Sequence, residues 1–281
     1  MKKILLTGGS GFIGRSILPI LSEHYEVDSP SRAELDIVSA ESVRTFFAGR
    51  SYDAVIHSAN CNPVRNPQCD GKLDMLDASL RAFLNLKSVS SHYGRMFYFG
   101  SGAEYDKRYE IKSIREEEIG RSIPADTYGF AKYIMNELAR ASKNIYNLRI
   151  FGCYGPTDSK SKFIRDAIDC CLEERAVTIR QDCMFDYTYV DDIGRIICRL
   201  IDMDLKYHDY NVCTGTRVAL SEIAAVVNRQ MGNDRNVEIA APGWNREYTA
   251  DNSRLIVELG DFAFTSLEEG IARQIAWQKG L

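Results

Sequence analysis

The chain alternates short apolar runs with longer stretches in which apolar residues recur every three or four positions. Residues 3–7, Lys-Ile-Leu-Leu-Thr, predict a short buried strand, and Ile17, Leu18, Ile20 and Leu21 predict the helix after it. The same reading predicts a second strand ending near Val27, a helix near 40–48, a strand over 53–57 and a long helix over about 71–92. Next come a buried strand over 95–101 and a helix on which Ala131, Ile134, Met135, Leu138 and Ala139 repeat, with a cap at Asp126–Thr127. A strand over 144–151 and a loop at 152–156 complete the series. Such alternation of strand and helix predicts an α/β fold with a parallel, doubly wound sheet. Residues 104–122 are charged and lack a core pattern, which predicts an excursion over the functional site.

Past residue 156 the pattern becomes mixed. It predicts a helix over 162–173, a strand near 177–180, and Tyr187-Thr188-Tyr189-Val190 leading to a helix that Asp191-Asp192 caps and that runs to about 203. With no repeat, linker or low-complexity stretch, the second part should pack directly on the first. The expected division is a first domain over 1–156, with a returning segment at about 183–204, and a smaller mixed α/β part over 157–281.

Composition narrows the function. The 281 residues suffice for one large domain or two modest ones. A net charge of −4 argues against general nucleic-acid binding, which leaves a basic footprint. No apolar run approaches the ~20 residues that span a bilayer. Two lysines precede the first apolar run, but it ends after three residues at Thr7-Gly8-Gly9, too soon for a signal-peptide core. A cytoplasmic protein is the expectation. The eight cysteines contain no Cys-x-x-Cys and the four histidines are scattered, so reduced thiols are expected and no metal site.

Two clusters carry candidate chemistry. The first is Gly8-Gly9-Ser10-Gly11-Phe12-Ile13-Gly14, directly after the first strand and opening the first helix. In a Rossmann-type unit Gly8 allows the tight turn, Gly11 lets the backbone approach a pyrophosphate, and Gly14 lets helix and strand pack closely. The helix N-terminus, at Phe12 and Ile13, then offers free N–H groups to phosphate. An arginine about 20 residues on accommodates the 2′-phosphate of NADP, where an acidic residue would bind the ribose of NAD. Arg32 stands eighteen residues after Gly14 and Asp28 comes early, so NADP is favoured over NAD; the alternative is that Arg32 is a solvated loop charge. Ser58 and Ala59 form a small-residue turn suited to a cofactor lying across strand ends, with His57 read as structural or cofactor-flanking. The second cluster is Tyr128-Gly129-Phe130-Ala131-Lys132, which puts a phenol and an ammonium one helical turn apart. An ammonium favours a nearby phenolate. On its own the pair is common on solvated helices; Ser101, closing the 95–101 strand, gives it a partner.

Taken together, these stretches resemble the extended short-chain dehydrogenase/reductase family, the nucleotide-sugar epimerases, dehydratases and reductases. The resemblance covers almost the whole chain. It rests on Thr7 to Gly14, Ser101, Tyr128-x-x-x-Lys132, Arg149-Ile150-Phe151-Gly152-Cys153-Tyr154-Gly155-Pro156, Tyr189-Val190-Asp191-Asp192 and Tyr210-Asn211-Val212-Cys213-Thr214-Gly215. It implies a nucleotide-sugar substrate, with Tyr128 as general acid/base. Lys132 would favour the phenolate and hold the nicotinamide ribose, Ser101 would hydrogen-bond the reacting oxygen, and Asp36 and Ile37 would sit beside the adenine. Members of the family often form homodimers. Lys162, Arg180 and Arg246 are candidates for gripping the sugar nucleotide, since a pyrophosphate needs cations or N–H donors; each could equally be a solvated charge.

Departures from the family pattern narrow the expected reaction. Its dehydratases carry Asp-Glu directly after the hydroxyl residue, where this chain has Gly102 and Ala103; Glu104 comes one position late and should point elsewhere. The family's fucose synthases carry a cysteine two residues after the serine, where this chain has Ala103. Phe185 replaces a usual arginine and Gly152 a usual asparagine, which argues for an altered substrate pose. The expectation is reduction of a 4-keto sugar nucleotide. A 4-epimerase with tightly bound NAD is the alternative, and a catalytically silent dinucleotide sensor a third.

Overall fold

The computed structural model describes residues 1–60 and 74–280. Its first part begins with β1 (Lys3–Thr7), α1 (Phe12–Ser22), β2 (Glu26–Asp28), α2 (Ala40–Phe47), β3 (Tyr52–His57) and α3 (Met75–Ser88). It goes on through β4 (Tyr93–Ser101), β5 (Ile111–Ile114), α4 (Thr127–Arg140) and β6 (Ile145–Ile150). The predicted long helix is thus shorter, α3 being followed by a 3-10 turn at Ser90–His92; Cys61 and Cys69 lie outside the described residues.

Then come β7 (Gly152–Tyr154), α5 (Phe163–Leu172), β8 (Thr178–Ile179), β9 (Met184–Phe185), β10 (Tyr187–Tyr189), α6 (Val190–Leu200) and β11 (Asp209–Val212). The chain closes with β12 (Val218–Ala219), α7 (Leu220–Met231), β13 (Glu238–Ile239), β14 (Tyr248–Ala250), α8 (Ser253–Leu259) and α9 (Leu267–Gln278).

The main sheet has the order β11-β6-β4-β3-β1-β2, and every pairing in it is parallel. Strand alternation builds the layers on its two faces. Ile4, Leu6, Ile56, Phe97 and Phe99 pack with α1, α6 and α8. Leu5, Val55, Met96 and Tyr98 pack with α2, α3 and α4. Each such aliphatic or aromatic side chain, buried from water, stabilises by about 1.5–3 kcal/mol. The strand order reverses between β1 and β3, and the crevice at the carboxyl ends of such strands is where open α/β sheets bind ligand. A further core joins α5, α7 and α9.

Three expectations change. Residues 104–122 are not merely a charged excursion: Tyr105 and Ile111 are buried in a core with Phe151, Cys213 and Ala250, and β5 pairs with β14. That partner lies far along the chain, so no local periodicity announces it. The loop expected at 152–156 begins with a strand, β7, paired to β10. Asp191 and Asp192 do not cap α6, whose cap is Tyr189; they sit in its first turn, where negative charge suits the helix dipole. Asp192 there accepts from the Thr265 N–H and hydroxyl at 2.8 and 2.9 Å and from Arg195 at 2.6 Å.

Among the described residues no helix is long and apolar enough to cross a membrane, and no group of three or more His, Cys, Asp or Glu could hold a metal ion.

Candidate active site

The glycine turn is built almost entirely from backbone. Gly8 adopts φ +77°, a conformation L side chains rarely take, and a Cβ there would come within 2.5 Å of the Ala59 nitrogen. A Cβ on Gly14 would collide with the Gly8 carbonyl, so α1 packs directly on the turn. The Gly11 N–H donates to the Gly8 carbonyl at 3.0 Å, and Gly11 is the N-cap of α1 with no side-chain bond to the helix end. Phe12 and Ile13 therefore head a first turn whose N–H groups have no intrahelical acceptor. This cradle fits a pyrophosphate, anionic and acceptor-only.

Neighbouring strand ends complete the crevice. The Ser58 N–H donates to the Thr7 carbonyl at 3.1 Å, and His57 Nδ1 lies 2.9 Å from Thr7 Oγ1. Burial, helped by the Lys132 charge, lowers the His57 pKa to about 3, so the ring is neutral. That suits a structural, cofactor-flanking residue. At the end of β2 the Asp28 carboxylate accepts the Tyr52 hydroxyl at 2.6 Å. Arg32 is exposed, with Nε 3.9 Å from Asp36. Asp36 also accepts from the Val38 N–H at 3.1 Å, and Ile37 is buried with its carbonyl accepting from Asn85 at 2.9 Å.

The second cluster assembles where β4 meets α4. Asp126 caps α4 by accepting from the Gly129 N–H at 2.8 Å. A Cβ on Gly129 would collide with the Ala103 carbonyl, so the first turn of α4 presses on the turn that follows Ser101. Lys132 is buried and donates to the Phe99 carbonyl at 2.7 Å, two residues before Ser101. Its Nζ lies 6.0 Å from the centroid of the Tyr128 ring. Ser101, Tyr128 and Lys132 therefore stand on two elements locked together at the carboxyl end of the sheet.

Ser101 opens a 3-10 turn, Gly102–Glu104. Its Oγ accepts from the Ala103 N–H at 3.2 Å, and its own N–H donates to Glu104 Oε1 at 3.0 Å. Glu104 does point away, as its position in the sequence suggested. It is fully buried and receives Arg149 Nε at 2.7 Å and Asn147 Nδ2 at 2.9 Å. Burial pushes its carboxyl up, against the pull of Arg149. Burial opposes the Arg149 charge as well, but Glu104, Tyr105 and Asp209 hold it well above its ordinary range. Gly102 is hemmed in: a Cβ there would lie 2.5 Å from the Tyr248 hydroxyl and 2.7 Å from the Phe151 ring. Phe185, where an arginine was expected, stacks on Tyr187 with ring centroids 5.3 Å apart.

Sequence reasoning did not single out Lys107. Its Nζ lies 6.0 Å from the Tyr128 ring centroid and 3.8 Å from the Asp126 carboxylate. Its place in the segment expected to cover the site was the available signal. Arg246 is exposed and donates to the Lys107 carbonyl at 3.5 Å, which brings it to the same side. Lys162 stands at the N-cap of α5, and exposed Arg180 follows β8, whose Ile179 belongs to the α5–α7–α9 core.

A glycine cradle at a strand-order reversal, beside a Ser, Tyr and Lys set, defines a dinucleotide-dependent oxidoreductase architecture. The NAD dependent epimerase/dehydratase family matches residues 4–213, and the chain belongs to that family. Among similar proteins, CDP-abequose synthase of Yersinia pseudotuberculosis is 23% identical, over 86% of this chain and 92% of that protein. The dTDP-glucose 4,6-dehydratase of Escherichia coli is 22% identical, over 98% of this chain and 92% of that protein. The crystal structure of a GDP-L-fucose synthetase from Naegleria fowleri bound to NADP superposes with a TM-score of 0.83 at 16% identity, covering 99% of this chain and 94% of that one.

Proposed function

We propose that this enzyme reduces the 4-keto group of a nucleotide-linked 6-deoxyhexose. One observation carries the choice within the family. After Ser101 come two residues without a functional side chain, Gly102 and Ala103, and the first carboxylate, Glu104, is fully buried and committed to Arg149 and Asn147. The turn therefore offers no base to take a proton from the carbon beside the ketone. Reduction needs none: it needs a proton donor and a hydrogen bond at the oxygen that gains charge.

In this reading Tyr128 gives its proton to the 4-oxygen, and the Ser101 hydroxyl donates a hydrogen bond to it. Lys132, on the next turn of α4, favours the phenolate left behind and holds the nicotinamide ribose. The nicotinamide, when bound, supplies the hydride. Gly8, Gly11, Phe12, Ile13 and Gly14 hold the pyrophosphate, Ser58 and Ala59 flank it, and Asp36 and Ile37 line the adenine. NADP is favoured because the Asp28 carboxylate is already engaged by Tyr52 while Arg32 is exposed. Lys162, Arg180 and Arg246, all after residue 156 in the chain, serve the sugar nucleotide.

The test is NADPH oxidation by purified protein with 4-keto-6-deoxy sugars linked to UDP, GDP, CDP and dTDP. Turnover with one of them is the expected result, and none across the set sinks the proposal. Protein that instead retains NAD and interconverts two sugars without net cofactor use is a 4-epimerase.

A further inference from the structure

We infer that the buried Glu104–Arg149–Asn136 assembly is a positioning device, which ties the Ser101 turn to the helix bearing Tyr128 and Lys132. Glu104 holds the Ser101 N–H with one carboxylate oxygen and Arg149 Nε with the other. Arg149 Nη2 donates to Asn136 Oδ1 at 3.1 Å. Asn136 lies four residues after Lys132 and eight after Tyr128, on the same face of α4. Asn147 braces the pair, donating to Asn136 Oδ1 at 2.8 Å and to both Glu104 oxygens. The remaining Arg149 donors go to Tyr105, Asn211 and Asp209, so every guanidinium N–H has an acceptor. Glu104, Asn136, Asn147 and Arg149 are all 0% exposed.

Stability alone does not call for this arrangement. Well-packed apolar side chains of similar volume often serve as well as a buried ion pair, because desolvation offsets the attraction. What a fully satisfied guanidinium adds is direction: its planar fork fixes angles as well as distances. Here one arm meets the Glu104 carboxylate that accepts from the Ser101 N–H, and the other meets Asn136 on α4. A Cβ on Gly100 would collide with Asn147 Oδ1 and Glu104 Oε1, so the assembly also rests directly on the strand end.

The experiment uses Glu104→Gln, Asn136→Leu and Ser101→Ala in the full chain, and the kinetic part rests on the reductase reading. Glutamine keeps an acceptor for the Ser101 N–H but meets Arg149 with an N–H donor. Glu104→Gln and Asn136→Leu should each lower kcat, by up to about a hundredfold, with KM for the sugar nucleotide unchanged. In the Ser101→Ala background Glu104→Gln should cost no more than about twofold further. Costs that multiply, or an Asn136→Leu variant with normal kcat, overturn the inference while the reductase reading stands. If Glu104→Gln does not fold, Asn136→Leu alone and with Ser101→Ala gives the same decision from the helix side. If wild type reduces no ketone, the reductase reading falls, and amide hydrogen exchange decides instead. Faster exchange at Ser101 and Ala103 in Asn136→Leu, with the Gly8–Gly14 turn unchanged, upholds the device; equal change in both turns overturns it.

Discussion

Two turns at the carboxyl ends of parallel strands do opposite things with the same material. The Gly8–Gly14 turn is bare: four glycines, a helix start without a side-chain cap, and first-turn N–H groups without an intrahelical acceptor. The Ser101–Glu104 turn is saturated: its serine caps it, its glutamate closes the loop back, and a fully buried arginine holds that glutamate. A turn that must hold an anion keeps its donors free. A turn that must present one hydroxyl uses its donors to hold itself still.

The largest expected effect tests what lies between the turns. Tyr128→Phe should lower kcat by about 10²–10⁴ with little change in cofactor affinity, measured by steady-state kinetics beside cofactor titration. Equal loss of both would mean that the phenol belongs to the bare turn's task. Next, Arg149→Leu leaves Glu104 and Asp209 buried without their shared partner, and should cost about 3–5 kcal/mol in urea denaturation. A small cost would show that the saturated turn does not depend on its buried charge.

The bare turn is sharpened by a pair of variants. Gly14→Ala drives a Cβ into the Gly8 carbonyl and should cost about 1–3 kcal/mol of stability as well as cofactor binding. Gly11→Ala meets only the Gly8 carbonyl, at 3.3 Å, so it should weaken cofactor binding with stability nearly kept. If both lose stability equally, Gly11 is not kept bare for a ligand.

His57, beside the bare turn, gives a pH signature. Its folded pKa of about 3 lies below the ordinary 6.5, so the unfolded chain binds the extra proton between these values. The stability due to a neutral His57 is complete above pH 6.5 and is lost as pH falls toward 3, by up to about 1.4 kcal/mol per pH unit. A His57→Gln variant should show a flatter stability profile across that window in denaturant titrations. The smallest effect is at the edge of the crevice: Arg32→Ser should reduce the preference for NADPH over NADH by about tenfold, read as a ratio of kcat/KM values.

The bare turn was legible from the sequence because all its determinants lie within seven consecutive residues, between one strand and one helix. The Tyr128 and Lys132 pair was legible for the same reason, helical spacing being a local property. The saturated turn was legible only as a lack, Gly102 and Ala103 where a base might stand. Its signal was present but distributed: Asn147 and Arg149 alternate with Leu148 and Ile150 along β6, and Asp209 and Asn211 alternate with Tyr210 and Val212 along β11. Polar residues at period two among buried positions of a strand mark an internal polar seam, but not its partners.

The sequence by itself determined the strand and helix succession of the main sheet from β1 to β6, the glycine turn, and the phenol and ammonium on one helix face, because each depends on neighbours within a turn or two; that β11 joins the sheet edge was not read from it. Only the tertiary structure decided that Glu104 faces Arg149, 45 positions away, that β5 lies beside β14, and that Tyr248 and Phe151 fill the space above Gly102. Those contacts depend on which strands come to lie side by side, and no local pattern of apolar and polar residues carries that information.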